Sequence, residues 1–449
     1  MVFKKSKILI ILTFTIIFLI NVGLYFIPYF YYFSGMKVFV LVVAVISIAF
    51  CKDIFFNIYQ FLFTVFYISP LVFLKNHDIE NGLFFNQIVL SQSEVQAMTF
   101  YLLSTSIIFS FISFILRPRY IHINNKIGRP NILEWFFLVP IFLLISYINI
   151  IKGISVSELG YQNYIGGGLL PQKNIFILFL EIFFVSRILY FQRSYLAAIL
   201  FIAYCLTGML SGQRIPYAFM LLAYGVLFFG LDAKKSIYLI CFSMVFSIAI
   251  PFLMWVQKFR NGLDLNLDID FLIDSYSDFF HVVYFSLDTV KAVFMESLSS
   301  LDFNPFGKFY FYINLLFERV FGVNMKLDVN TFGGVFTKAI APELYDFNIT
   351  FASSAAAEFY YIFGFFGACL HVIYAFLICN LIWYVLDNLK TLSFFIVIFI
   401  ARGFWGMVRN EPFGFPFDVG IWICLGVLMH SLVRVVVTRF CAAPKLAKI

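Results

Sequence analysis

The sequence predicts an all-α polytopic membrane protein with about twelve transmembrane helices and one large outer loop. Three observations carry that prediction. The 449 residues are 62% hydrophobic and only 12% charged, where soluble domains run near about 45–50% and 25%, and mean hydropathy is +0.95. Apolar runs long enough to cross ~30 Å of hydrocarbon recur along almost the whole chain. Lys and Arg then collect in alternate loops, as membrane topology requires.

Taken in order, the first run, 8–28, follows Lys4, Lys5 and Lys7. Its apolar stretch is nearer about twenty residues than ten and no small-residue cleavage site follows, so it reads as an uncleaved first helix rather than a signal peptide. Further runs fall at 37–51, 54–74, 97–116, 132–151, 174–191, 195–210, 215–231, 236–256, 358–386, 391–407 and 419–437. The second is short, and reads either as one arm of a hairpin with the third or as partly interfacial. The pair at 195–231 needs a tight turn, for which Ser211, Gly212 and Pro216 are suited.

With the N-terminus inside, the inner segments hold Lys4, Lys5, Lys7, Lys52, Arg117, Arg119, Lys126, Arg129, Arg193, Lys234, Lys235, Lys390, Arg439, Lys445 and Lys448. The short outer loops hold only Lys37, Lys75, Lys152, Lys173, Arg214 and Arg409. Both termini are therefore expected in the cytoplasm. The chain divides into a bundle at 1–256, a large outer loop at 257–357 and a second bundle at 358–449. That loop is rich in Phe, Tyr and Leu, and SDFFHVVYFSLDTVKAVFMESL within it reads as an interfacial amphipathic helix. The net charge of +7 follows the topology, so no nucleic-acid partner is expected. Seven cysteines without Cys-x-x-Cys spacing imply no disulfide or zinc framework.

Positive charge on the outer side runs against the rule that sets the topology, so it asks for a reason. Between Tyr195 and Leu231 the only charged residue is Arg214. Lys258 and Arg260 leave the ninth run in MWVQKFRNG, and Arg402 and Arg409 lie in ARGFWGMVRNEPFG. One reading is interfacial snorkelling with pairing to Glu411, Asp418 or the acidic loop. The other is a phosphorylated lipid, because the guanidinium fork grips phosphate and keeps its charge at low dielectric.

Acid–base candidates are few. Glu358 stands in SSAAAEFYYIFGFFG at the outer mouth of the tenth run, and His281 and His77 are the outward histidines. A carboxylate there reads as an arginine partner or as a general base, and His281 as a polar-face residue or a base. Asp268-Ile-Asp270 is formally an Asp-x-Asp, a chance tripeptide on the wrong side for a nucleotide sugar. Glu181 and Arg187 read as helix-packing groups. The Gly166–Gly168 run lacks the residues of a phosphate cradle. No hydrolase constellation is present.

The layout resembles the Wzy-type O-antigen (oligosaccharide repeat-unit) polymerases. The arginine turn in SGQRIPYAFM, the basic exit KFRNG, the small residues and Phe-Gly-x-x-Gly helix of FASSAAAEFYYIFGFFGACL, and the turn RNEPFG are each similar to features of that family. Gln213 departs from it, standing where a small residue or threonine often precedes the arginine. The resemblance implies a membrane-embedded glycosyltransferase fold of the GT-C kind and transfer of a growing glycan from undecaprenyl diphosphate to a new lipid-linked repeat unit at the periplasmic face of the bacterial inner membrane. It implies Arg214, Arg260 and Arg409 on the substrate diphosphate, Glu358 or His281 as base, and loop aromatics such as Tyr310 or Tyr345 against sugar. No metal or cofactor is implied, because arginines can neutralise the leaving diphosphate. Partners would be undecaprenyl-diphosphate-linked glycans, membrane lipid and a chain-length regulator protein. The rival readings are an O-antigen ligase, with His281 as base, and a flippase for the same lipids. The flippase fits less well, because no internal repeat is visible and the charges gather at one face.

Overall fold

The computed structural model describes residues 2–27, 34–82, 88–117, 119, 132–159, 175–191, 194–211, 214–228, 286–295, 304, 306–307, 310, 313–314, 317, 332–340, 342, 354–389, 392–409 and 415–442. These are almost wholly helical, with no strand among them beyond one antiparallel bridge between Asn81 and Val89. Every apolar run within the described residues carries a helix, and the run at 236–256 lies outside them.

Helices α1 (Val2–Tyr25), α2 (Ser34–Phe50), α3 (Ile54–Phe73) and α4 (Gln92–Ile115) come first. Next are α5 (Ile132–Leu159), α6 (Ile175–Tyr190), α7 (Tyr195–Leu210) and α8 (Arg214–Phe228). After a helical stretch at 286–294 come α9 (Phe332–Ile340), α10 (Ala355–Asn388), α11 (Ser393–Arg409) and α12 (Phe415–Ala442). Among the described residues α3, α4, α5 and α10 are long and apolar enough to cross a membrane, with shorter apolar helices beside them. This is an all-α architecture of membrane-protein character.

Local chemistry sets the helix ends and breaks. Asp53 caps α3 by accepting from Phe55 N and Phe56 N at 3.1 Å each, and Ser91 with Glu94 forms a capping box on α4. Helix α3 widens into a π turn at Thr64–Ile68, just before Pro70, whose missing N–H cannot close the usual ladder. Helix α10 breaks at Gly364, with φ of 57° and ψ of −143°, a conformation almost confined to glycine. A 3₁₀ turn at Gly364–Phe366 follows.

Two compact units result. The first comprises Met1–Tyr120, Leu272–Tyr384 and Phe404–Phe415, the second Ile121–Phe271, Val385–Gly403 and Pro416–Ile449. In the first, α1 and α2 pack on α4. Ser47 on α2, Gln60 on α3, and Ser110 and Ser113 on α4 join these helices through a buried hydrogen-bond network. Small polar residues suit such contacts, since helices in lipid gain little from apolar burial against each other. In the second unit α7 packs on α5, α6 and α8, and Gly153 of α5 lets its backbone approach that of Leu210. The two units each hold a helix of contrasting surroundings: 72% of the apolar window of α3 is buried against 28% for α5. The first is a core helix and the second presents apolar side chains outward, as lipid contact requires.

The stretch 286–294 departs from the expected interfacial helix. Every residue in it is buried, including Asp288 and Lys291 at 0% exposure. Lys291 Nζ lies 3.0 Å from Asp288 Oδ1 and donates to the carbonyls of Asp78 (2.8 Å) and Asn81 (2.9 Å). Pairing within one turn lets both charges leave water, and the carbonyls take the remaining ammonium protons. Burial pushes the Lys291 ammonium below its usual range, with Asp288 opposing the shift.

Candidate functional site

Glu358 belongs to the first unit and lies in the first turn of α10. Ser354 caps that turn, its Oγ accepting from Ala357 N at 3.3 Å while its carbonyl accepts from Glu358 N at 2.9 Å. The Tyr67 hydroxyl is 2.7 Å from Ser354 Oγ, and the Tyr101 hydroxyl donates to Ala356 O at 3.0 Å. Ala355, Ala356 and Ala357 are fully buried and Glu358 is 1% exposed. The run of alanines is therefore part of the packed core, with no face left open to solvent. Aligned peptide dipoles at a helix start favour the carboxylate there. Tyr374, beyond the break in this helix, lies within electrostatic range of Glu358.

The break in α10 gives both glycines of the Phe-Gly-x-x-Gly segment a physical reason. Gly364 takes the positive φ. At Gly367 a Cβ would stand 2.2 Å from the Phe359 carbonyl oxygen. Beyond the break, His371 is fully buried, its ring parallel to that of Phe359 at 4.9 Å and its Nε2 2.5 Å from the Tyr59 hydroxyl. Tyr360 stacks on Phe294 of the 286–294 stretch at 3.7 Å between centroids, so this stretch packs directly on the half-helix that carries Glu358.

The second unit holds Arg214 and Arg402. Arg214 is the first residue of α8 rather than part of the preceding turn. Arg402 lies within α11, its guanidinium 4.1 Å from the centre of the Trp422 ring and 5.9 Å from that of Tyr217. Glu181 on α6 accepts from Tyr204 (2.7 Å) and Tyr217 (3.0 Å), both on Oε1. Arg187 pairs with Glu134 of α5, and Tyr190 and Phe191 each lie 5.1 Å from its guanidinium. Glu181 and Arg187 thus tie helices together, as their placement within one apolar run suggests.

Of the residues singled out from sequence, Glu358 is placed with its side chain. Arg214 and Arg409 are placed as the first residue of α8 and the last of α11, with side chains outside the described set. Arg260, His281, Lys258, Asp268, Asp270, Glu411, Tyr345 and the Gly166–Gly168 run lie outside the described residues, while Tyr310 is half-buried. Glu358 and Arg409 fall in the first unit, Arg214 in the second. Among the described residues no group of three His, Cys, Asp or Glu is arranged to hold a metal.

The pair Tyr59–His371 and the ion pair Asp288–Lys291 were not singled out from sequence. A polar residue inside an apolar run is the signal that marks His371. Comparison with protein-family models, with curated proteins and with solved structures finds no match to this chain.

Proposed function

We propose that this protein is a repeat-unit polymerase of the Wzy type. It transfers a growing polysaccharide from undecaprenyl diphosphate onto the non-reducing end of the next lipid-linked repeat unit, at the periplasmic face of the bacterial inner membrane. The reading adopts twelve spans, both termini in the cytoplasm and a GT-C-like fold. The observation that carries it is Glu358: a carboxylate 1% exposed, on the first turn of a helix that breaks two turns later. A membrane protein keeps an ionisable group at such a place mainly where function uses it.

In this reaction the acceptor hydroxyl gives its proton to Glu358 or His281, and its oxygen attacks the anomeric carbon. The bond from that carbon to the diphosphate breaks, and the leaving diphosphate keeps the electron pair and stays on the carrier. Charge develops on the diphosphate, so fixed cations speed the step. Arg214, Arg260 and Arg409 are assigned that role. Arg214 opens α8, and a helix N-terminus adds partial positive charge to that of the side chain.

The test is lipopolysaccharide banding after gene deletion, complemented with wild type, Arg214→Ala or Glu358→Gln. Deletion is expected to leave core plus one repeat unit, with the ladder restored by wild type alone at equal protein level. Core without any repeat after deletion would make the protein a ligase or flippase. A full ladder from Arg214→Ala would reduce Arg214 to a tolerated interfacial charge.

A further inference from the structure

The hairpin of α7 and α8 is held in an unusual way. The Tyr217 ring lies so close to α7 that a Cβ on Gly208 would stand 2.5 Å from its Cζ. Only glycine admits that approach. The Tyr217 hydroxyl then reaches Glu181 Oε1, the same oxygen that accepts from Tyr204, one turn before Gly208 on α7. The Tyr204 and Tyr217 rings meet edge to face at 5.4 Å between centroids. The end of α7 is closed by Ser211, whose Oγ donates to Gly208 O at 2.8 Å and whose N donates to Thr207 O at 3.2 Å. Arg402 and Glu181 both act electrostatically on the two hydroxyls, so the acid does not face them as an isolated charge.

Tyr217 is three residues after Arg214 in sequence, about one helical turn. We infer that Glu181 is a positioning residue: through Tyr217 it sets the register of α8 against α7 and so fixes where Arg214 stands. The inference rests on the reading of Arg214 as a diphosphate-binding residue. Its chemistry is hydrogen-bond acceptance rather than charge, which gives it a specific signature.

The experiment uses the full-length protein in detergent, with farnesyl diphosphate as the probe in equilibrium binding. Tyr217→Phe and Glu181→Leu are expected to weaken binding roughly tenfold, whereas Glu181→Gln, which keeps an acceptor, stays within roughly threefold of wild type. The double variant Arg214→Ala/Tyr217→Phe is expected to bind no more weakly than Arg214→Ala. A purely additive loss in the double variant overturns the inference. So does Glu181→Gln behaving like Glu181→Leu. Hydrogen exchange of the 208–217 segment provides a readout that needs no ligand. Faster exchange in Tyr217→Phe and Glu181→Leu supports the hold, and unchanged exchange overturns it whatever the probe does. If Arg214→Ala binds the probe as wild type does, the diphosphate reading of Arg214 falls, while the exchange data still decide whether Glu181 holds the hairpin.

Discussion

The indole nitrogen of Trp383 donates to Asp53 Oδ2 at 2.8 Å, while Oδ1 of the same carboxylate caps α3. One side chain thus fixes the start of α3 and ties α10 to it across more than three hundred residues of sequence. Asp53→Ala removes the cap and strands the indole, at a cost of about 1–2 kcal/mol. The cost has a definite pH dependence. Burial pushes the Asp53 carboxyl above its usual range, with the two backbone N–H groups and the indole opposing. A raised folded-state value means the contribution is fully present below the unfolded value, about 3.9, and is lost as pH rises through the folded one. Melting of wild type and Asp53→Ala in detergent should therefore differ more at pH 4 than at pH 7, and the reverse order would show that the hydrogen bonds outweigh burial.

The two glycines of the α10 break differ in what a methyl group does to them. Gly364→Ala keeps open space around the new Cβ but forces a positive φ, costing about 1–3 kcal/mol. Gly367→Ala drives its Cβ onto the Phe359 carbonyl oxygen at 2.2 Å, and backbone cannot yield as a side chain does, so its loss is the larger. Gly23→Ala, with nothing within 4 Å, is the control and loses nothing. Melting temperatures in one detergent should rank wild type with Gly23→Ala, then Gly364→Ala, then Gly367→Ala.

Lys291 supplies the charge that lets Asp288 be buried. Lys291→Met leaves a buried carboxylate without that cation and two carbonyls without their donor, a loss of about 3–5 kcal/mol. Replacing both partners, Asp288→Leu with Lys291→Met, removes the stranded charge and should recover part of that loss. Limited proteolysis of the purified protein would read this as cleavage between residues 75 and 95 that is fast in the single variant and slower in the double. A double variant cut faster than the single would mean that Asp288 contributes more through other contacts than it costs by its charge.

How much of this was legible beforehand follows from range. The helices could be placed from apolar runs, because crossing hydrocarbon demands a local stretch of apolar residues. Ser211 was legible as the end of α7, whereas Pro216, expected in the turn, falls inside α8 and Gly212 lies outside the described residues. Glu181 and Arg187 were legible as packing groups because a charge inside an apolar run must meet a partner. The burial of 286–294 was not. Asp288 and Lys291, three apart, look like the wet face of an interfacial helix, and nothing local announces that the carbonyls of Asp78 and Asn81 wait some two hundred residues upstream. The same holds for Asp53, whose indole partner is chosen by tertiary packing. Of the proposed site, Glu358 is placed by its cap and its buried alanine neighbours, while Arg260 and His281 lie outside the described residues.

His371 offers a test of how a dry bundle tolerates a polar ring. Its Nε2 meets the Tyr59 hydroxyl, its Nδ1 has no hydrogen-bond partner among the described residues, and Phe63, Phe109 and Phe359 surround it. Tyr59→Phe strands the second ring nitrogen as well, and an unsatisfied buried polar group costs about 1–3 kcal/mol. His371→Phe alone strands the Tyr59 hydroxyl instead. The double variant Tyr59→Phe/His371→Phe leaves neither group behind and fits a site already lined by phenylalanines, so it should melt above both single variants. If it melts below them, the Tyr59–His371 pair holds α3 to α10 in a way that packing cannot replace.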